Sequence, residues 1–262
     1  MKQLLYIHLL LFILLASCSK NDDPTPIETS SGIQIAEKKT ADGVTVILLS
    51  AHDSLTVAYN KLYVALKDAA GNRISNAAVT LSPEMNMMTM KHSCPVEQPS
   101  YNPETGAYEG AVVFSMPTGE MGSWTLTVTV NGEPVVFDVR VKAGRTNTKY
   151  TGTFQGSDGI SYTVSLVNPL SPKIGLNDLE LLINQRQDMM TFPPDGDFLV
   201  DLTPEMPSMG HGSPNNVNPV HTVNGHYIGK VNFTMTGDWR LHLRLKKGNT
   251  VIVEDAALDL FF

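Results

Sequence analysis

Hydrophobic and polar side chains alternate along several short segments of the chain. The segment SWTLTVTV (123–130) places Trp, Leu and Val at every second position, and DWRLHLRL (238–245) repeats that period. Alternation with period two is typical of half-buried antiparallel β-strands, and no segment has the periodicity of a long helix. Further strands are predicted at residues 44–50, 56–67, 76–82, 134–142, 150–155, 160–167, 174–184, 197–203 and 250–260.

This pattern occurs twice. The matching segments are PEM (83–85) and PEM (204–206), GAYEGAVVFSM (106–116) and GHYIGKVNFTM (225–235), and GSW (122–124) and GDW (237–239). In each repeat, about six or seven short strands separated by Gly, Pro and Asn turns are typical of an immunoglobulin-like sandwich. We therefore predict an all-β fold with two tandem immunoglobulin-like β-sandwich domains, at residues 33–145 and 146–262. Trp124 and Trp239 lie on the inward face and are predicted core residues.

The N-terminal segment has a different composition. Residues 1–17 (MKQLLYIHLLLFILLAS) combine one lysine with an apolar run, which is the pattern of a secretory signal peptide. Leu15-Ala16-Ser17-Cys18 resembles a bacterial lipobox, in which the signal is removed and Cys18 is lipidated. Residues 18–32 are polar, without apolar periodicity, and predict a flexible tether. We therefore expect a lipid-anchored protein of the cell envelope, at the outer membrane, its periplasmic face or the cell surface.

Charge and cysteine content narrow the candidate functions. Without residues 1–17 the chain has 18 basic and 26 acidic residues, a net charge of −8. Nucleic acid is not expected as a partner, because its binding requires a basic surface. Once Cys18 is lipidated, Cys94 has no partner within the chain. An unpaired thiol is unusual in an oxidising compartment.

Methionine and histidine cluster in two segments that also contain Pro or Gly. These are PEMNMMTMKHSC (83–94) and PEMPSMGHG (204–212). Pro83 and Pro95 bound the first, so we expect a loop there and not a central strand. A thioether is a soft, neutral donor that suits Cu(I) better than Zn²⁺ or Ca²⁺, and imidazole and thiolate also bind copper. The alternative is that these methionines fill gaps in the packing, which explains Met189 and Met190 at least as well.

The order P-x-M, G-H-G, G-x-Y-x-G-x-V-x-F-x-M and a G-x-W strand resembles the YtkA-like/FixH-like family of small extracytoplasmic β-domains. The resemblance covers residues 198–246 well and 76–130 fairly. Domains of this family are associated with copper resistance or with metal supply to respiratory oxidases. Carried over to this chain, the resemblance implies Met206, Met209 and His211 as ligands, with His221 as a further one.

The first repeat departs from the family pattern, because MKHSC (90–94) replaces the Gly-His-Gly segment. Its predicted ligands are Met87, Met90, His92 and Cys94, with Met85 and Met88 as further candidates. Met116 and Met235 end their strands within reach of the two loops and are also candidates, although packing explains them at least as well. The alternative for Cys94 is a disulfide with a partner protein.

No nucleophile with a neighbouring base and no phosphate-binding loop is recognisable, so we predict a protein that is not an enzyme. The leading hypothesis is a Cu(I)-binding lipoprotein, a carrier or buffer in copper handling or in delivery to a respiratory oxidase. Its expected partners are the membrane, through the N-terminal lipid, and an efflux or oxidase-assembly protein. The alternative is a structural or adhesive module at the cell surface that binds a protein or a glycan.

Overall fold

The computed structural model describes residues 32–262, which consist of β-strands and their connections. The predicted signal peptide, the lipidation site at Cys18 and the tether up to Ser31 lie outside the described residues. Within residues 32–262 there is no helix long and apolar enough to cross a membrane. The chain is all-β, as the alternating pattern predicts.

Eleven strands of the described chain form the first domain. They are β1 (Ile33–Lys39), β2 (Thr45–Ser50), β3 (Leu55–Thr56), β4 (Tyr59–Lys67), β5 (Val79–Asn86), β6 (Lys91–His92), β7 (Val96–Asn102), β8 (Ala107–Val113), β9 (Ser123–Val130), β10 (Glu133–Val139) and β11 (Val141–Lys142).

Ten strands form the second domain within residues 151–261. They are β12 (Thr151–Gln155), β13 (Ser161–Asn168), β14 (Gly175–Arg186), β15 (Leu199–Met206), β16 (His211–Gly212), β17 (Val217–His221), β18 (His226–Phe233), β19 (Asp238–Lys247), β20 (Thr250–Val253) and β21 (Leu258–Phe261).

Each domain is a sandwich of two main sheets with the same strand order. One sheet runs β1-β2-β4-β8-β7 in the first domain and β12-β13-β14-β18-β17 in the second. The facing sheet runs β10-β9-β5-β6 in the first domain and β20-β19-β15-β16 in the second, where β21 also pairs with β19. The topology is therefore repeated, as expected from the internal repeat in the sequence.

The two sheets of each domain enclose a separate apolar core. Trp124 and Phe114 are fully buried in the first core, and Trp239 and Phe233 are fully buried in the second. Their rings are neighbours in both domains, with centroids 5.1 and 5.2 Å apart. Burial of aromatic rings of this size is a large part of the stability of a small sandwich. The period-two pattern thus identifies Trp124 and Trp239 correctly as core residues.

The prediction that a loop begins at Pro83 is wrong. Strand β5 continues through Pro83 to Asn86, and β15 continues in the same way through Pro204 to Met206. Pro83 is tolerated because β6, the neighbour on that side, pairs with β5 only at Met85 and Asn86. The strand is therefore an edge at Pro83, where a missing N–H breaks no ladder hydrogen bond.

Candidate metal centre

A histidine packs against the core tryptophan at the same place in both domains. His92 meets Trp124 edge to face with ring centroids 5.4 Å apart, and His211 meets Trp239 at 6.0 Å. Each histidine lies on a two-residue strand, β6 or β16, that closes the end of β5 or β15. We call these arrangements the His92 corner and the His211 corner.

The imidazoles of both corners are oriented by the same hydrogen bond. Nδ1 of His92 lies 2.9 Å from the carbonyl oxygen of Ser93, and Nδ1 of His211 lies 2.9 Å from that of Gly212. A carbonyl only accepts, so a neutral ring places its proton on Nδ1 and leaves the lone pair on Nε2. This tautomer is the one that a histidine uses to bind a metal through Nε2.

A buried methionine lies opposite each histidine in the strand register. Met85 pairs with His92 and is fully buried, and Met206 pairs with His211 and is 5% exposed. A Cβ on Gly122 would lie 3.0 Å from the Cε of Met85, and a Cβ on Gly237 would overlap that of Met206. The glycine of each G-x-W motif therefore makes room for a core methionine. Packing accounts for Met85 and Met206 in full.

The remaining methionines of the first segment lie outside the core. Residues 87–90 form a tight turn in which the amide of Met87 donates to the carbonyl of Met90 over 2.9 Å. Met87 is partly buried against the core, Met90 is 50% exposed, and Met88 is 97% exposed. The structure thus separates Met88, whose side chain is in solvent, from Met87 and Met90.

A cavity of about 380 Å³ lies beside the His92 corner, between the two domains. Four methionines, His92 and Cys94 are among its lining residues; the methionines are Met87, Met90, Met116 and Met189. The second domain also contributes polar and aromatic side chains to the wall: Thr153, Thr163, Arg186 and Phe192. The structure therefore brings together Met87, Met90, His92 and Cys94, all predicted from the sequence as ligands. Met116, a further candidate from the sequence, is there too, and the structure adds Met189 from the other domain.

Met189 and Arg186 are functional candidates that sequence reasoning missed. Met189 lies between β14 and β15, and its carbonyl accepts a hydrogen bond of 2.8 Å from the Ser93 amide. The guanidinium of Arg186 donates to the sulfur of Met189. The sequence places Met189 about 100 residues from the His92 loop, so only the packing of the domains reveals the proximity.

The methionine turn of the His211 corner is open to solvent. Met209 is 59% exposed in a turn in which the amides of Met209 and Gly210 donate to the carbonyl of Met206. Asp238 fixes this turn by accepting from the amide and the hydroxyl of Ser208. Met235 is partly buried, and its carbonyl accepts from the Trp239 indole over 3.0 Å. Met209 and His211 therefore form an open surface, with Met206 beneath them.

His221 does not belong to the His211 corner, and the prediction that joined them is wrong. His221 pairs with Tyr227 at the start of β18, with ring centroids 5.4 Å apart. Phe233, which contacts Trp239, lies at the other end of β18, and at the usual rise this is about 20 Å away. The family resemblance gives a spacing along the chain, and it does not say which end of the sandwich a residue reaches.

Cys94 is part of the apolar core as well as of the cavity wall. It is 2% exposed and is the free cysteine of the described residues. Burial raises the pKa of its thiol well above the ordinary value. A disulfide with a partner protein needs an accessible thiolate, and the observed burial does not favour that alternative.

Another histidine, His226, forms contacts between the two domains. His226 lies between Glu97 of the first domain and Glu180 of the second, and Nδ1 is 2.8 Å from Glu180. Hydrogen bonding to Glu97, and then to Glu180, raises the pKa of His226 against the effect of burial. Burial on its own raises the pKa of Glu97, but hydrogen bonds from His226 and Tyr59 outweigh it and lower the pKa.

Other chemistry is sparse in the described part of the chain. Within residues 32–262, no three His, Cys, Asp or Glu side chains converge as a metal-binding group. His242 lies 3.0 Å from both Glu205 and Asp255 on the outer face of β19. This pairing gives the histidine a local structural role on the surface.

Comparison with known proteins finds a family match within the second domain. Residues 157–244 match the model of the YtkA-like family. This segment is similar to YtkA-like domains. The match includes the whole His211 corner, confirms the predicted resemblance for this part of the chain and supports the expectation of an extracytoplasmic β-domain. No curated protein matches the chain.

Several solved structures are similar to the chain at low identity. The Escherichia coli adhesin FdeC is 16% identical, with a TM-score of 0.29, over 86% of this chain and 65% of that one. Yersinia pseudotuberculosis InvD is 13% identical, with a TM-score of 0.27, over 82% and 56%. The S-layer protein SbsC, domains 5–6, is 14% identical, with a TM-score of 0.29, over 86% and 97%. The chain thus spans less than two thirds of FdeC and InvD.

Proposed function

We propose that the protein binds Cu(I) at the His92 corner and serves as a carrier or buffer of copper in the cell envelope. The observation that carries this proposal is the cavity beside His92, in which four thioethers, one imidazole and one thiol line about 380 Å³. Soft sulfur donors with imidazole are the ligands that Cu(I) prefers, whereas hard cations need oxygen donors. The domain acts by binding and release, without catalysis.

The orientation of His92 supports this proposal. Its Nδ1 is engaged with the carbonyl of Ser93, so Nε2 is the free donor. The ring also has one edge on Trp124, which limits its rotation. A ligand held in this way loses little conformational entropy when a metal binds.

Exchange of the metal fits the character of the donors. Thioethers are neutral donors, and so is an imidazole that keeps its proton on Nδ1 and binds through Nε2. These two kinds of donor bind Cu(I) without first losing protons, in contrast to thiolates, whose affinity depends on pH. This behaviour suits a carrier that passes copper on to an efflux or oxidase-assembly partner. In this proposal, lipidated Cys18 holds the protein at the membrane.

The test is a Cu(I) titration of the full-length protein against a competing chelator under anaerobic, reducing conditions. Wild-type protein is expected to take copper from the chelator, and Met87→Leu/Met90→Leu is expected to weaken binding about tenfold or more, equivalent to about 1.4 kcal/mol. Leucine keeps the apolar volume and deletes the sulfur donor, so the fold is preserved.

Met88→Leu is the matched control. Met88 belongs to the same turn but is 97% exposed and does not line the cavity, so this variant should bind copper as the wild type does. Wild-type protein that fails to compete for copper would contradict the proposed function. Equal binding by the double variant would contradict the assignment to the His92 corner.

A surface-binding module is the second candidate, and one observation favours it. Val220 and Ile228 are cross-strand partners, and they are 64% and 47% exposed on the outer face of the second domain. Val217, also on β17, is 52% exposed, and contiguous exposed apolar residues are typical of protein-binding surfaces. If this hypothesis is correct, Val220→Ser/Ile228→Ser should abolish adhesion to a protein or glycan. The same variant should leave copper binding unchanged.

A further inference from the structure

The second domain places one residue directly over the His92 corner. The turn after β14 carries Met189, and the Ser93 amide donates to its carbonyl over 2.8 Å. Ser93 lies between His92 and Cys94, both of which line the cavity. The backbone of Met189 is therefore fixed against the segment that supplies the candidate ligands of the first domain.

The side chain of Met189 differs from that of its neighbour. Met189 is partly buried and lines the cavity, whereas Met190 is 49% exposed and does not. The sulfur of Met189 also accepts a hydrogen bond from Arg186. Both residues line the cavity. The sulfur of Met189 therefore has a polar neighbour, which a methionine that only fills space does not need.

We propose that Met189 is a ligand of the same soft-metal site, which is complete only when the two domains are in contact. This inference rests on the proposed function and adds that the Cu(I) or Ag(I) site is shared between the domains. Because metal binding and domain contact then favour one another, copper stabilises the closed arrangement and domain separation releases copper.

Arg186 sets a limit on the affinity of this shared site. Its guanidinium competes with a cation for the sulfur of Met189, and its positive charge opposes the approach of Cu(I). The site is therefore suited to exchange, and Arg186→Leu should tighten binding of Cu(I). Leucine removes both the charge and the competing donor.

The test follows the methionine methyl groups directly in the wild-type, full-length protein. The protein is labelled with ¹³C in the methionine methyls and titrated with Ag(I), a soft and redox-inactive ion. The methyl signals of Met87, Met90 and Met189 are expected to shift together, and that of Met190 is expected to stay unchanged. Comparison with Met189→Leu and Met190→Leu assigns the two signals.

The outcomes separate this inference from the proposed function. Shifts at Met87 and Met90 without one at Met189 would overturn the inference and leave the function standing. The absence of any shift would overturn both. In the competition titration, Met189→Leu should weaken Cu(I) binding about tenfold, while Met190→Leu should bind as the wild type does, and equal binding by both variants would again overturn the inference.

Discussion

The His92 corner and the His211 corner share a scaffold and differ in what surrounds it. Both have a buried methionine, a glycine that makes room for it, a core tryptophan and a histidine oriented through Nδ1. The His92 corner opens into a cavity that the second domain closes. At the His211 corner Met209 is exposed, and Asp238 fixes its turn.

The comparison separates the residues with a structural role from those that line the cavity. In both domains the shared residues build and stiffen the end of the sandwich, and Met85 and Met206 belong to that structural set. Met87 and Cys94 have no sulfur-bearing counterpart in the second domain, and both line the cavity. The candidate chemistry therefore depends on what has been added to the scaffold. The family match covers the second domain, whose corner has fewer sulfur side chains.

The largest expected effect compares the two glycines of the scaffold. Gly122→Ala and Gly237→Ala both place a side chain at positive φ, +152° and +135°. A Cβ on Gly122 would also lie 2.6 Å from the backbone oxygen of Asn86, whereas on Gly237 it meets only the flexible end of Met206. We expect Gly122→Ala to lower the free energy of unfolding by about 3 kcal/mol and Gly237→Ala by about 1 kcal/mol.

Denaturant unfolding measures this difference, with Gly119→Ala as the control because a Cβ there meets nothing within 4 Å. Equal destabilisation at both glycines would show that the close approach of the Asn86 backbone to Gly122 does not distinguish the two corners.

The second effect exchanges the residue two positions after each histidine. Cys94 is buried in the core, and its counterpart Ser213 is partly exposed. Cys94→Ser buries a hydroxyl and should lower the free energy of unfolding by about 1–3 kcal/mol. Ser213→Cys should change it little. If Cys94→Ser were neutral in denaturant unfolding, the enclosure of the His92 corner would be in doubt.

The smallest expected effect concerns the contact between His226 of the second domain and Glu97 of the first. The folded pKa of His226 is raised, so the stability from its pairing is fully present below the unfolded pKa and is lost as pH rises through the folded value. The pKa of Glu97 is lowered, so its contribution is lost only as pH falls through that lower value. Tyr59, Lys61 and Glu180 are the other ionisable groups that act on this pair.

We therefore expect this pairing to contribute more at about pH 6 than at about pH 8, by up to about 1 kcal/mol. Denaturant unfolding of wild type and His226→Gln at both pH values measures the difference. His52→Gln, a change at an exposed histidine of the first domain, is the control. A difference that does not depend on pH would remove His226 as the titrating group.

The sequence predicts the scaffold and only part of the site, for physical reasons. Alternation over 123–130 and 238–245 reports which side chains face inward, so the core tryptophans are predictable. The start of the first loop is not, because whether Pro83 ends a strand depends on how far β6 extends alongside it. Met189 and His226 gain their roles from contacts across the domain interface, which periodicity within one repeat does not report.

Soft donors near His92 are predictable from composition, since Met, His and Cys crowd one short segment. Which of them share a space is not, because Met87 and Met88 are neighbours in the chain and have opposite exposures. The same holds in the second domain. His221 and His211 are only ten residues apart in the sequence, but they lie toward opposite ends of β18, separated by nearly a strand length.

The most direct test of the difference between the corners compares His92→Asn with His211→Asn in the competition titration with Cu(I). The asparagine amide takes the place of Nδ1–H and keeps the bond to the following carbonyl, while Nε2 is deleted. We expect His92→Asn to weaken Cu(I) binding about tenfold or more and His211→Asn to leave the tightest binding unchanged. Equal losses, or a loss confined to His211→Asn, would contradict this expectation.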